Sequence, residues 1–372
     1  MKLIELHILQ SYPVSCLNRD DLGAPKSAIF GGVNRSRISS QCLKRAIREY
    51  AKTTFPSARF TGQRTKLIVS PLQDILTNHG MEKEDALKYA IAFAETLAEV
   101  DIKQTIPEVT TLIFLAPGDL DAIGKEIFDA VNDKRCVLKA TEPKKNEKKK
   151  TDKEKNPFLK RLAKKQLSSS ITDAADIAIF GRFVASHSSL KLDGAAMFSH
   201  ALSTHSSDNE LDFFVAVDDC KTKEMDQGAG MLGSLEFVSA TYYRYAALNL
   251  DVLNDEEHLG NLSSEERKMV VDAFIRSTLL AVSTARKNSM NAHTLPAYVL
   301  GIVKDKGQPV QLINAFENPV PLRENLLENS IERLKKHHAD LYKTWDITPQ
   351  LEIAMPENDL NTFCKEILQH VQ

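Results

Sequence analysis

No stretch of this sequence approaches the roughly 18 consecutive apolar residues of a membrane-spanning helix, so no membrane partner is expected. The five cysteines (Cys16, Cys42, Cys136, Cys220 and Cys364) are odd in number, scattered and without CxxC spacing. That pattern speaks against a disulfide framework and a cysteine-rich zinc site, and points to a reducing, cytoplasmic compartment. The first residues, MKLIELHIL, carry Glu5 and His7 inside their apolar run, and no small-residue cleavage site follows. They predict a first strand, not a signal peptide. Phosphate loops, dinucleotide fingerprints, serine elbows and HExxH spacing are also missing; the glycines from Gly228 to Gly233 lack a following lysine. Nothing in the pattern calls for a cofactor, and no repeat of solenoid or propeller period is visible.

Net charge is scarce too: 48 Lys/Arg stand against 50 Asp/Glu, giving −2. The charge is unevenly placed, however. Asp133 to Lys165 holds fourteen Lys/Arg and five Asp/Glu, a local excess of nine positive charges. Arg19 to Arg48 holds seven Lys/Arg, opposed only by Asp20 and Asp21. Such polarity suggests a polyanion on one face and protein neighbours on others.

Along the chain, Lys2–Gln10 alternates as a strand with Ile4, Leu6 and Ile8 on one side. A turn-rich loop leads to an extended segment at Val33–Ile38, and Ser39 or Ser40 caps a helix to about Ala51, with Leu43, Ala46, Ile47 and Tyr50 as its buried stripe. Helices are predicted from Ser70-Pro71 to Gly80, over Glu82–Val100, Asp119–Val131 and Lys160–Gln166, with a short strand at Thr110–Leu115. Strands are predicted at Asp176–Ala185, Glu236–Leu248 and Tyr298–Val303. The capping box Ser263–Glu266 opens a helix continuing to about Thr284, and Arg323–Tyr342 and a short last segment are helical. Without its insertions the order is strand, helix, strand, strand, helix, strand, the split βαβ arrangement of ferredoxin-like and RNA-recognition folds.

The junction FGGVNRSRISSQCLKR (Phe30 to Arg45) concentrates anion-binding chemistry. In an extended Val33–Ile38, Arg35 and Arg37 share one side. The chain then enters a helix whose first N–H groups and positive dipole end attract an anion. Lys44 and Arg48 lie one turn apart on that helix, with Arg45 beside them. Gly31-Gly32 permits close backbone approach, and Arg19 and Lys26 precede the junction. No acid occurs from Gly23 through Arg48. Seven cations exceed the needs of a single phosphate, so a chain of phosphates fits better. About four single-strand contacts would give a salt slope near −3 per protein copy.

Three runs here, PVSCLNRD (Pro13 to Asp20), KSAIFGG (Lys26 to Gly32) and RISSQCLKRA (Arg37 to Ala46), resemble the CasC family, the backbone subunits of the type I-E CRISPR surveillance complex Cascade. The likeness continues at Ile179–Arg182, Asp193–Ala195, His200-Ala201, Thr204-His205, Asp212–Phe214, Ala216–Asp219, Gly233–Phe237, Tyr243–Tyr245 and Asn314–Glu317. It is weakest from about Phe55 to Gln166 and after Asn318.

The resemblance implies an α+β fold shaped as a hand. Residues 1–54 would begin a modified ferredoxin-like or RNA-recognition-motif palm, 55–170 a mostly helical fingers insertion, and 171–185 a palm strand. Residues 186–235 would form a thumb hairpin and 236–372 the remaining palm. It also implies a subunit that polymerises along a CRISPR RNA and presents it for pairing with target DNA, in company with other Cascade subunits. Guide-backbone contacts would fall on Arg19, Lys26, Arg35, Arg37, Ser39, Ser40, Gln41, Lys44, Arg45 and Arg48. Apolar contacts to a displaced nucleotide would fall on Phe183, Phe213, Phe214 and Leu232; the family often carries Met where this chain has Phe183. In the fingers, Lys160, Arg161, Lys164 and Lys165 would attract duplex DNA.

Rival chemistries are thinner. His187, His200 and His205 near Asp193 could be imagined around a metal, but polar histidines in a hairpin explain them as well. Asp20-Asp21 and Asp218-Asp219 could suggest metal-dependent RNA cleavage; the acid-free stretch beside them argues for a non-enzymatic role. A sequence-nonspecific single-strand RNA binder is the other alternative.

Overall fold

The computed structural model describes residues 1–102, 105–138, 156–183, 191–216 and 231–372. They group into two compact units: Met1–Thr54, Ala196–Asp251 and Arg267–Gln372 form the first, Phe55–Ala195 and Val252–Glu266 the second. In chain order the elements begin with β1 (Leu3–Ser15), β2 (Ser27–Phe30), β3 (Val33–Ile38), α1 (Ser40–Thr54), β4 (Gln63–Thr65), α2 (Val69–Asn78) and α3 (Lys83–Leu97). Then come β5 (Val100–Asp101), β6 (Glu108–Val109), β7 (Ile113–Leu115), α4 (Asp119–Asn132), α5 (Pro157–Ser169) and α6 (Ala175–Phe180). The rest are β8 (Ala196–Phe198), β9 (Ala201–Ser203), β10 (Glu210–Ala216), β11 (Met231–Asn249), α7 (Leu250–Leu253), α8 (Ser264–Leu280), β12 (Tyr298–Lys304), α9 (Leu326–Thr344), β13 (Leu351–Met355) and α10 (Leu360–Leu368).

The first unit rests on an antiparallel sheet that follows the path β13-β12-β1-β11-β9-β3-β2, with β8 and β10 also paired to β11. Strand β1 is central, Leu6 facing Ala246 on one neighbour and Gly301 on the other. The alternation expected for a one-sided strand hides the outcome: every residue from Leu3 to Gln10 is buried, because both faces of the strand are covered. Burial of Glu5 and His7 is made tolerable by partners. Glu5 Oε1 accepts hydrogen bonds from the Tyr245 hydroxyl and the Val310 amide, both at 2.7 Å, and its carboxylate pairs with Lys304. The Leu312 amide donates to the Tyr243 hydroxyl, which is also hydrogen-bonded to His7 Nδ1 at 2.9 Å. Burial first, then the His338 and Lys304 charges, lowers the His7 pKa to about 3, so the ring is neutral.

Strand β11 serves two structures. Its second half crosses the sheet, while its first half pairs with β10 as a ribbon in which Phe214 faces Gly233. The strands flanking β11 opposite β1 are the three-residue β8 and β9, too short to show periodicity.

In the second unit, α2, α3, α4 and α5 pack around a core that includes Leu72, Phe93, Ile127 and Leu162. The two-stranded pairs β4–β7 and β5–β6 accompany it. Over residues 176–183 the strand predicted at Asp176–Ala185 is not one: Ala175–Phe180 is a short helix, in the second unit, and residues 184 and 185 lie outside the described residues. Its residues from Ala175 to Ile179 are all buried, so DIAIF shows neither helical nor strand polarity, and its alternate isoleucines imitate period two. Asp176 Oδ1 accepts the Gly62 amide at 3.0 Å, and the helix stops at Gly181 with a φ of +81°. The capping box at α8 forms as expected, with Glu266 Oε2 accepting the Ser263 amide at 2.9 Å and Ser263 Oγ accepting the Glu266 amide at 3.3 Å. Among the described residues no helix is long and apolar enough to cross a membrane.

Candidate nucleic-acid interface

The junction splits into a buried half and an exposed half. Gly31 and Gly32 have φ of +61° and +77° and join Phe30 to Val33, the two left-handed positions of a type I′ hairpin. The close approach that Gly31 permits is to the chain itself: a Cβ there would lie 1.6 Å from the Glu317 carbonyl oxygen. Arg35 belongs to the same lock. It is 0% exposed, and its guanidinium donates to the carbonyls of Phe30 (3.2 Å), Ser203 (3.1 Å), Phe316 (2.7 Å) and Glu317 (3.2 Å). Arg35 therefore cannot serve the phosphate contact expected of it. The hairpin and the Asn314–Glu317 turn recognise one another through it.

The exposed half is knitted by backbone bonds. Asn18 accepts the Lys26 amide on its carbonyl at 2.9 Å and the Ser39 amide on Oδ1 at 2.8 Å, while Lys26 O accepts the Arg37 amide at 2.8 Å. Arg19, Lys26, Arg37 and the start of α1 are thus brought together. Ser39 is buried and its Oγ accepts the Cys42 amide at 3.3 Å, so it caps α1 rather than reaching for a ligand. The buried stripe is Leu43, Ile47 and Ala51; Ala46 and Tyr50 are only half-buried.

The helix presents cations on two sides. On one, Lys44 Nζ stands 5.3 Å from the centre of the Phe198 ring, and Arg37 lies between the Ser27 carbonyl (Nε, 3.1 Å) and His200 Nδ1 (Nη1, 3.4 Å). On the other, Arg19, Gln41 and Arg45 line a groove of about 1350 Å³. Its far wall is the loop after α8, including Ser283, Thr284 and Lys287. Arg286, with a φ of +53°, shares a second recess of about 390 Å³ with Lys287. Sequence reasoning missed this loop, since Arg286 and Lys287 follow a predicted helix without any motif. Asp20, Asp21 and Glu49 also line the groove. Asp20 Oδ1 is engaged by the Leu22 and Ala24 amides, each at 2.9 Å, and Glu49 lies 3.6 Å from Arg48. Ser40 is half-buried at the helix start, its hydroxyl 3.5 Å from Gln41 Oε1.

On the β10–β11 ribbon, Phe213 is 65% exposed and Phe214 is partly covered by lying across Gly233, where a Cβ would come within 2.4 Å of the ring. Leu232 lies opposite Val215 in the ribbon; its side chain is outside the described residues. In the second unit Phe183 is 67% exposed and lines a pocket of about 400 Å³ with Arg64, Phe114, Phe180 and Lys191. The Arg64 guanidinium sits 4.8 Å above the Phe114 ring. Lys160, Arg161, Lys164 and Lys165 are all exposed on α5, Lys165 pairing with Glu126 at 2.9 Å. Much of the lysine-rich segment, 139–155, lies outside the described residues, as do His187, Asp218 and Asp219. His205 is buried with both ring nitrogens engaged: Nδ1–H donates to the Ser206 carbonyl at 2.8 Å and Nε2 accepts the Thr241 amide at 3.2 Å. That leaves it no lone pair for a metal.

Such a protein is a mixed α+β chain with a large antiparallel sheet and a cationic strand-to-helix junction. The chain belongs to the family of CT1975-like proteins, whose pattern it matches over residues 4–369. Among solved structures it is similar to a chain of a "CRISPR RNA-guided surveillance complex, pre-nicking". The two share 26% identity and a TM-score of 0.80, and all of both chains is covered. It also shares the fold of a chain from a "CRISPR RNA-guided surveillance complex", at 23% identity and a TM-score of 0.69 over 99% of each. No curated protein sequence matches it.

Proposed function

We propose that this chain is a guide-RNA-binding backbone subunit of a CRISPR surveillance complex, of the CasC kind found in type I-E Cascade. The observation that carries the reading is end-to-end similarity to a chain of such a complex, at a TM-score of 0.80. It is supported by the cations grouped where α1 begins, Arg19 and Arg45 exposed and Lys26, Arg37 and Lys44 half-buried. Arg19, Lys26, Arg37, Lys44 and Arg45, with Lys287 from the facing loop, grip successive phosphates of the strand. Gln41 and Ser40 add neutral hydrogen-bonding groups. Because these groups meet backbone and not base edges, the target is read by base pairing of the guide.

The palm is a modified ferredoxin-like sheet: the order β12, β1, β11, then β8 and β9 supports the split βαβ arrangement, with β8 and β9 as its second strand. The β10–β11 ribbon is the thumb. Its exposed Phe213 and Phe214 replace part of the stacking lost when a nucleotide is pushed aside, and Phe183 offers a similar flat surface in the second unit. The α5 cations attract target DNA. The chain works without catalysing a reaction, as several copies on one guide beside other subunits, in the cytoplasm.

Electron microscopy of the purified protein mixed with guide RNA tests this. Regular curved filaments are expected; isolated particles on the RNA would instead indicate a nonspecific single-strand binder. Incubation with complementary target RNA and Mg²⁺ should leave the RNA intact. Cleavage abolished by Asp20→Ala would make the protein a ribonuclease of the same fold.

A further inference from the structure

We propose that His200 is a further contact of the bound strand, donating its Nε2–H to a phosphodiester oxygen of single-stranded RNA beside Arg37 and Lys44. This rests on the RNA-binding reading above. His200 lies in the two-residue link between β8 and β9 and is exposed. Its Nδ1 is 3.4 Å from Arg37 Nη1. A guanidinium can only donate, so Nδ1 is the acceptor and the proton of the neutral ring must sit on Nε2. That N–H has no protein partner among the described residues. Arg37 is itself fixed through Nε to the Ser27 carbonyl, so the imidazole is held on one side and offered on the other.

The surroundings are cationic. Arg37 from β3 and Lys26 from the segment before β2 act on the ring electrostatically, and Lys44 from α1 stands over Phe198, two residues away. Partial burial first, then Arg37 and Lys26, lowers the His200 pKa below its usual value, so the free protein carries it neutral. A polyanion laid across these cations reverses the balance and favours the imidazolium: the added proton sits on Nδ1, the hydrogen bond from Arg37 to that nitrogen is released, and both cations then donate to phosphate oxygens. Binding is thereby coupled to proton uptake. The sign follows from linkage: with the bound-state pKa above the free-state pKa, the extra affinity is full below the free-state pKa and disappears above the bound-state one. One unit of difference corresponds to about tenfold in affinity.

The test measures binding of a labelled single-stranded oligouridylate to the full chain by fluorescence anisotropy, at fixed salt, from about pH 8 to about pH 6. Wild type should gain affinity by about three- to tenfold across this range. His200→Gln, which keeps a neutral donor, should lose most of that gain while binding nearly as well as wild type at the alkaline end. Equal pH dependence in the two proteins overturns the role of His200 and leaves the RNA-binding reading standing. Failure of wild type to bind the oligonucleotide at any pH overturns both. Titration of the His200 Cε1 proton by NMR gives an independent readout: its pKa should rise on RNA addition, and an unmoved pKa contradicts the contact.

Discussion

Arg35 and Arg37 are two residues apart in one strand, yet they belong to different parts of the protein's physics. Arg35 turns inward and satisfies four carbonyl oxygens. Arg37 is half-exposed, bonded to one carbonyl and one histidine nitrogen. The difference teaches that an acid-free basic run is not a uniform anion trap. Half of this one is an internal lock that positions the other half, and the two should fail differently.

Arg35→Ala should give the largest effect on folding. It leaves buried carbonyls without donors and removes a fully packed side chain, a loss of roughly 3 kcal/mol or more in urea denaturation. A cost below about 1 kcal/mol would show that the lock is dispensable. Gly31→Ala should destabilise by roughly 2 kcal/mol or more, since the new Cβ collides with Glu317. Gly32→Ala, whose Cβ would meet nothing within 4 Å, should cost only about 1 kcal/mol for its left-handed backbone. Equal losses at the two glycines would contradict the hairpin's docking on Glu317.

His7 gives a pH signature to the buried core of the same unit. Its folded pKa of about 3 lies below the ordinary value of 6.5, so below about pH 6 the unfolded chain takes up a proton that the folded one refuses. Stability should therefore fall as pH drops through that window, by up to about 1.4 kcal/mol per pH unit from this group. His7→Gln should show a shallower decline of the urea midpoint over the same window, and an unchanged decline would show that His7 is not the group responsible. The smallest expected effect is at Lys287→Ala. Stability should stay within about 0.5 kcal/mol of wild type, while the salt slope of RNA binding flattens by about 0.7. A wild-type slope would remove the 282–289 loop from the interface.

Much of the architecture was legible where periodicity runs long. The α1, α2, α4 and α8 segments carry clear caps or stripes, and the structure has them close to the predicted positions. Legibility failed where elements are short or buried on every side. Helix α6 imitates a strand, and β8 and β9 have three residues each; β1 and β12 are the strands expected, but burial on both faces leaves no one-sided stripe. At the junction, charge could be counted but not apportioned. Whether an arginine faces solvent or a distant turn depends on Glu317, nearly three hundred residues away. A long separation in sequence also hid Lys287, which only the folded chain brings opposite Arg45.

The most direct measurement is the salt dependence of single-stranded RNA binding by wild type and by the double variant Lys44→Ala, Arg45→Ala. The account predicts native stability, weaker binding to every sequence and a slope shallower by about 1.4, the share of two phosphate contacts. A folded double variant with the wild-type affinity and slope would contradict it.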